Sequence, residues 1–273
     1  MDNAELYSLY NSMQRQDTET VLAEFTTRLS WTEGELVLDI GCGPGDVTVE
    51  VLMPRLPVSA KLVGVDISKS MVDYANNKYS KHQVEFKAVD FSTKHITNFL
   101  PEQRFSKVFS FYCLHWIQDQ EQAFKNMFTL LKPGGHFLVI MAPQNSTFLI
   151  YKILSQMEKW KTYMKDVDMY IPKFYNSANV CNDIEQIVRR QGLEIITLEE
   201  RKQTVSFPSM AKLMRSNEAV NPFVKRMNQS TREQYMACFE QVIEDQQLIS
   251  ETVTGEILTQ NSLVVVYGRR PSQ

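Results

Sequence analysis

Cysteine is scarce in this chain, and the cysteines that it has are far apart. The 273 residues include four of them, and none belongs to a Cys-x-x-Cys pair: Cys42, Cys113, Cys181 and Cys238. That spacing favours neither a disulfide framework nor a zinc site, so we expect reduced thiols and no metal. Reduced thiols are typical of the cytosol, and the expected localisation is cytoplasmic.

Long apolar runs and an excess of positive charge are also missing. No run reaches the roughly 18 apolar residues that a membrane-spanning helix needs, and the N-terminus is acidic rather than a basic segment before an apolar one. The formal net charge is -3. We therefore expect no membrane span and no secretory signal. Without a basic surface, DNA and tRNA are disfavoured as partners, so we expect no nucleic acid.

What the chain does contain is an apolar segment that leads into a glycine turn. Residues 36–40 read Leu-Val-Leu-Asp-Ile, and a second apolar segment, residues 61–65, ends in Asp66. Between them, glycines alternate with other residues: Gly41, Gly43 and Gly45. A strand, glycine turn, helix and second strand with an acid at its tip form a unit that binds a nucleoside. Glycine lets the backbone approach such a ligand, and the acid accepts hydrogen bonds from ribose hydroxyls.

The glycine spacing and the charge beside it indicate which nucleoside is bound. A dinucleotide-binding turn reads Gly-x-Gly-x-x-Gly and directs a helix N-terminus at a pyrophosphate. Here Asp39 lies two residues before Gly41, and its charge would repel a pyrophosphate but suits a cationic amino-acid end. S-adenosylmethionine (SAM) has an ammonium, a sulfonium and no phosphate. The stretch resembles motif I of the class I SAM-dependent methyltransferases, the alternative being a turn whose glycines are only structural.

Strands and helices alternate along the chain in the order typical of that fold. Five β-then-α units in series predict a right-handed parallel sheet, and the first helix is expected at 45–56. A sixth strand at 193–207 and a seventh at 262–268 would add an antiparallel edge. The sequence thus predicts an α/β, Rossmann-like class I methyltransferase fold. Its sheet would be seven-stranded and mostly parallel, with helical cap insertions.

The predicted organisation has four segments. Residues 1–30 form an N-terminal helical lid, and residues 31–143 form the SAM-binding core. Residues 144–180 form a helical substrate cap, and residues 181–273 return to the core with a helical insertion at 209–249. Both insertions follow strand ends, on the side where open α/β sheets bind ligands. They are rich in Met and aromatic residues, which line adaptable apolar cavities as well as ordinary cores, so we predict a lipophilic substrate.

The predicted cofactor site lies at the carboxyl ends of the first four strands. Asp39 and Gly41 are expected at the methionine end of SAM, and Asp66 at the ribose. After the third strand, Asp90 can accept from the adenine amino group and Phe91 can stack on the ring, although Asp90 can also be a simple strand cap. The other predicted cofactor contacts are Gly43 in the turn, Ile67 against the adenine and Ser110 below the cofactor.

His115 and Trp116 follow the fourth strand, where the transferred methyl group would point. We predict that both rings donate hydrogen bonds to an acceptor near the sulfonium, with a packed aromatic pair as the alternative. An amine or phenol nucleophile needs deprotonation, often by a base or a metal. A carboxylic acid, with a pKa of about 4–5, is already ionised at neutral pH. Since no cluster of acids or bases accompanies the two rings, the pattern favours O-methylation of a carboxylate.

Four segments of the chain resemble the insect juvenile hormone acid O-methyltransferases. The two specific ones are Asn-Ala-Glu-Leu-Tyr at residues 3–7 with Asn-Ser-Met-Gln at 11–14, and residues 108–121, which contain Leu-His-Trp. The others are residues 38–42, and residues 63–68 with 71–76.

The resemblance implies SAM-dependent methylation of juvenile hormone acid or farnesoic acid, a step of juvenile hormone biosynthesis in the cytosol of an insect. It also implies that Gln14 lies over the cofactor and hydrogen-bonds the substrate carboxylate together with His115 and Trp116. In the aromatic cap, the predicted substrate contacts are Phe148, Tyr151, Trp160 and Phe223.

Two other functions remain open at this point. One is methylation of another acid, either a fatty acid or a polyanion such as trans-aconitate, and a polyanion would need several Arg or Lys residues in the cap. The other is a SAM-binding protein without catalysis, which would predict loss of the site residues. The sequence leaves the oligomeric state open, with a homodimer as one alternative.

Overall fold

One mixed β-sheet organises the chain, in a computed structural model that describes residues 3–79, 83–100 and 105–272. Seven strands lie in the order β3-β2-β1-β4-β5-β8-β6, and the short β7 pairs with β8. The predicted Rossmann-like α/β fold with a seven-stranded sheet is confirmed. The strands are β1 (Leu36–Ile40), β2 (Lys61–Asp66), β3 (Val84–Ala88), β4 (Phe105–Phe111), β5 (Leu131–Met141), β6 (Glu194–Phe207), β7 (Ile249–Glu251) and β8 (Ile257–Arg269).

One strand of this path, β8, runs opposite to all the others. β1 to β5 pair in parallel, whereas β8 pairs antiparallel with both β5 and β6. β6 therefore runs in the same direction as β1 to β5, and the reversal belongs to β8 alone. The sequence did not predict β7, which has only three residues and therefore too few to show an alternating pattern.

Eight α-helices accompany the sheet in the described residues. They are α1 (Ala4–Tyr10), α2 (Ser12–Phe25), α3 (Lys69–Lys78), α4 (Gln120–Leu130), α5 (Ser146–Gln156), α6 (Val180–Arg190), α7 (Met210–Val220) and α8 (Gln229–Asp245). The helix expected at 45–56 is instead a π-helix, Val47–Leu52, followed by a 3-10 turn, Met53–Arg55. Pro54 lacks a backbone N–H and cannot continue a regular helical ladder. None of the helices in these ranges is both long and apolar enough for a bilayer.

Helices cover both faces of the sheet, and the cap has an apolar core of its own. On one face, Val21, Leu22 and Phe25 of α2 pack against apolar residues of β4, β5 and β8. On the other face lie α4 and α6. A separate cluster joins α5, α7 and α8 of the cap. Because the second half of α2 is held in the sheet core, its first half projects over the carboxyl ends of the strands.

Candidate active site

A cavity lies where β4 and β5 end, between the sheet, the N-terminal helices and the cap. It contains about 870 Å³ of empty space, a volume that includes open solvent at its mouth. The N-terminal helices contribute Tyr7, Met13 and Gln14 to its walls, and the segment after β4 contributes Tyr112, His115 and Trp116. The other walls come from residues 142, 145–148 and 150 after β5, from Phe207 at the end of β6, and from the cap helices α7 and α8, with Leu213, Val220 and Ile243 among them.

None of the described residues that line this cavity carries a formal charge. The polar side chains are amides (Gln14, Asn145, Asn217, Asn261), hydroxyls (Ser146, Thr147, Ser216, Thr259, Tyr7, Tyr112) and one imidazole, His115. Burial lowers the pKa of His115 to about 3, so the ring is neutral at neutral pH and a poor base. The cavity thus offers neutral hydrogen-bond donors on an otherwise apolar surface.

His115 and Trp116 lie side by side in the wall, with ring centroids 5.2 Å apart. His115 is 3% exposed, and its Nδ1 accepts a hydrogen bond from the backbone N–H of Ala142 at 3.4 Å. A neutral imidazole whose Nδ1 accepts carries its proton on Nε2, which is then the donor. Phe148 packs edge-on against Trp116, with centroids 5.4 Å apart.

Gln14 presents a buried amide to the same cavity. Its side-chain oxygen is fully buried and has no hydrogen-bond partner among the described residues. An unpartnered buried acceptor costs about 1–3 kcal/mol, which only a hydrogen-bond donor can offset; an ionised carboxylate would instead accept from the amide nitrogen of Gln14. The structure therefore places Gln14, His115 and Trp116 around one cavity, while their contacts with a substrate stay predictions.

The glycine turn adjoins the cavity across the ring of Tyr7. A Cβ on Gly41 would collide with the side chain of Cys113, and one on Gly45 would lie 2.8 Å from the ring of Phe86. Packing therefore requires glycine at both positions, and the contact of Gly41 with SAM stays a prediction. Gly43 has an open face, since the nearest atom to a Cβ there is Cε1 of Tyr7 at 4.0 Å.

Two carboxylates flank this turn. Asp66 accepts hydrogen bonds from the backbone N–H groups of Gly43 at 3.0 Å and Ser68 at 2.8 Å, so it also fixes the turn. Asp39 is 2% exposed, and the hydroxyl of Thr48 donates to it at 2.6 Å. Burial, with a smaller effect of the Asp66 charge, raises the pKa of Asp39 to about 7. An open Gly43, a carboxylate at the end of β2 and a buried acid fit the ribose and cationic amino-acid end of SAM.

The remaining predicted cofactor residues are placed less uniformly. Ile67 is 73% exposed, as a residue that covers an adenine would be. Asp90 accepts from the N–H and hydroxyl of Ser92, which is the strand-cap alternative. Phe91 packs in the core between the sheet and the helices α4 and α6, so the prediction that its ring stacks on adenine is wrong. The buried hydroxyl of Ser110 donates to the carbonyl of Ile40 at 3.0 Å, consistent with a floor position.

Of the four aromatic residues of the cap that were predicted to contact substrate, Phe148 alone lines the cavity. Tyr151, Trp160 and Phe223 are each at most 1% exposed and belong to the core of the cap, which corrects the prediction for all three. Tyr151 packs edge-on against Phe223 with centroids 5.2 Å apart. The cap is thick enough to need these rings for its own packing, and sequence spacing does not separate that use from lining a cavity.

Two tyrosines of the cavity wall have no predicted role. Tyr7 contacts both the cavity and the turn, and burial, followed by the charge of Asp46, raises the pKa of its phenol, so it stays a neutral donor. Tyr112 has a φ of 55°, a left-handed conformation that is strained for a bulky residue. Its hydroxyl donates to Asp17 of α2 and thereby ties that helix to the end of β4. The sequence could not indicate this hydrogen bond because Asp17 and Tyr112 are 95 positions apart.

Comparisons with known proteins agree with this geometry. A family model described as "Methyltransferase domain" matches residues 32–249. The chain is 33% identical over 279 residues to the juvenile hormone acid O-methyltransferase of Drosophila melanogaster. That alignment covers 99% of this chain and 93% of the Drosophila protein. The chain is 34% identical over 225 residues to the protein of the same name from Bombyx mori, covering 82% of this chain and 80% of that one.

The fold is similar to the solved structure of the YcgJ protein from Bacillus subtilis, with a TM-score of 0.59 at 15% identity, covering 94% of this chain and 100% of that chain. Family model, relatives and sheet order agree with one another. The chain therefore belongs to the class I SAM-dependent methyltransferases, and its cofactor is SAM.

Proposed function

We propose that this protein methylates the carboxylate of a lipophilic acid to give its methyl ester, with juvenile hormone acid or farnesoic acid as the expected substrate. The observation that carries the proposal is the cavity, which combines apolar side chains with neutral donors and is free of formal charge among its described lining residues. The relatives from Drosophila melanogaster and Bombyx mori, whose names specify a juvenile hormone acid, support the choice of acid.

In this proposal, residues of the chain hold the substrate carboxylate in position and exclude water from it. An ionised acid needs no base, and burial keeps His115 neutral, with a pKa of about 3, so that its Nε2–H is a donor. The indole N–H of Trp116 and the amide of Gln14 are the other donors that we assign to the two carboxylate oxygens. SAM, when bound, supplies a methyl group on a sulfonium. Fixed alignment of the acid contributes on the order of 7–11 kcal/mol to such a reaction.

A polyanionic substrate such as aconitate fits this cavity poorly. Several buried carboxylates without cationic partners are costly to desolvate. No described Lys or Arg lines the cavity, and three cations of the cap have partners elsewhere: Lys159 with Gln234, Lys161 with Glu158, and Arg215 with Glu218. Lys152 lies over the ring of Tyr175. The reading as a non-catalytic SAM-binding protein is disfavoured too, since Gln14, His115 and Trp116 share one cavity.

The test of this proposal is methyl transfer from labelled SAM to juvenile hormone acid, farnesoic acid, lauric acid and aconitate. We expect methyl esters of the terpenoid acids with kcat/KM about tenfold or more above lauric acid, and no product from aconitate. Turnover of lauric acid alone would uphold carboxyl methylation but would identify a fatty acid, rather than a terpenoid acid, as the substrate. Product from aconitate alone, or no ester at all while calorimetry shows SAM binding, would overturn the proposal.

SAM affinity should fall as the pH is lowered through 7. We assign Asp39 to the ammonium of SAM, and only its ionised form attracts that group. Because its pKa in the free protein is about 7, the carboxyl is largely protonated at pH 5.5 and largely ionised at pH 7.5. Calorimetry should show about 25-fold weaker binding at the lower pH, with proton release. Asp39→Asn should bind more weakly but with no such dependence, and an unchanged pH slope in that variant would reject the assignment.

A further inference from the structure

A polar strip lies in the cavity on the side away from β1 and β2. It consists of Asn145, just past β5, and Asn261 and Thr259 in β8, and all three line the cavity. In the sheet, β8 is two places from β4, with β5 between them. The residue that follows β5, Ala142, donates to His115, so the strip is one strand beyond the strand end at which His115 is held.

Within this strip, the side-chain amide nitrogen of Asn261 has only weak hydrogen-bond acceptors. Its side-chain oxygen accepts from the amide of Asn145 at 3.3 Å. Its side-chain nitrogen reaches only the sulfur of Met13 at 3.3 Å and the hydroxyl of Thr259 at 3.4 Å. A thioether is a weak acceptor, and 3.4 Å is long for an N–H···O bond. The nitrogen therefore keeps capacity for a better acceptor inside the cavity.

A second cavity amide shows that this is not a general feature of the wall. The nitrogen of Asn217 donates to the carbonyl of Leu213 at 3.0 Å, and its oxygen accepts from the hydroxyl of Thr147, also at 3.0 Å. Asn217 is therefore satisfied on both sides by ordinary partners. Asn261 differs from it in having no strong acceptor for its nitrogen among the described residues.

We propose that Asn261 determines specificity by donating a hydrogen bond to an uncharged oxygen on the substrate chain, at the β8 side of the cavity. This rests on the proposed function, which places the carboxylate at His115 and Trp116. The substrate class is then a lipophilic acid with a carbonyl, ether or hydroxyl oxygen towards its far end. A plain hydrocarbon chain would leave the Asn261 nitrogen with the sulfur of Met13, and one lost hydrogen bond corresponds to about tenfold in kcat/KM.

The experiment compares lauric acid with its oxo isomers, each with one ketone moved along the chain, because a ketone only accepts hydrogen bonds. In the unaltered protein we expect one distal isomer to have about tenfold higher kcat/KM than lauric acid. Asn261→Leu and Asn261→Asp both remove the donor and should bring that ratio to about one. Asn261→Asp retains an acceptor for Asn145, and any repulsion of the carboxylate cancels in the ratio. Asn217→Leu is the matched control and should keep the preference.

Each outcome decides a different point. Equal ratios in the unaltered protein and the Asn261 variants, or no oxo isomer better than lauric acid, would overturn the role of Asn261 while ester formation upholds carboxyl methylation. Loss of the preference in Asn217→Leu as well would show a general effect of cavity polarity and also overturn it. No ester from any of the acids would overturn the proposed function and this inference with it.

Discussion

Replacing Asp66 with alanine should weaken SAM binding by about 100-fold or more. The carboxylate stands at the end of β2, holds Gly43 and Ser68 through their N–H groups, and is the acceptor that we assign to the ribose hydroxyls. Hydrogen bonds to a charged group are worth about 1.5–3 kcal/mol each, so losing the two from the ribose hydroxyls accounts for that factor. Calorimetric titration of the variant with SAM measures it directly.

Two controls separate ribose binding from damage to the turn. Asp66→Asn keeps one carbonyl oxygen for Gly43 and should lie between alanine and the unaltered protein. Asp90→Ala removes the acid at the end of the neighbouring strand, whose oxygen is used by Ser92, and should cost about tenfold or less. Equal affinity in Asp66→Ala and the unaltered protein would exclude Asp66 from the cofactor site.

Gln14→Leu should lower activity and raise stability together. The variant loses a donor to the substrate carboxylate, which is worth about 10- to 100-fold in kcat/KM. It also removes a buried amide oxygen that has no partner among the described residues, so the free energy of unfolding should rise by about 1–3 kcal/mol. Steady-state kinetics with farnesoic acid and urea denaturation of the ligand-free protein measure the two effects.

Gln16→Leu is the matched control for this pair of effects. Gln16 lies on the same helix, α2, but is exposed, so the identical chemical change should alter neither quantity appreciably. SAM affinity should be unchanged in both variants. Full turnover in Gln14→Leu would remove Gln14 from the mechanism, and a loss of stability would show that its amide has a structural partner.

The sheet and the cofactor turn were predictable because each is encoded locally. A buried strand that ends in a glycine turn, followed by a strand that ends in Asp66, needs only neighbouring residues to be recognised. The right-handed rule for parallel crossovers then orders β1 to β5. The predicted end of β4 also indicated where His115 and Trp116 lie, because the residues that follow β4 must be at the carboxyl edge of the sheet.

The cavity wall could not be predicted in the same way. Met13 and Asn261 lie in contact although 248 positions separate them, and no local pattern joins them. Phe91 and Trp160 are aromatic residues that the sequence predicted to contact ligands, yet both are buried in cores, at 4% and 1% exposure. Which aromatic rings fill a core and which line a cavity depends on how thick the cap is, a property of the packed structure.

The most direct measurement is one reaction containing methyl-labelled SAM with equal amounts of farnesoic acid and trans-aconitate, followed by mild alkali. A partly apolar cavity without formal charge in its described lining predicts that the label enters the terpenoid acid and that alkali releases it as methanol, as from an ester. Label in aconitate, or label that resists alkali, would contradict methylation of a lipophilic carboxylate in this cavity.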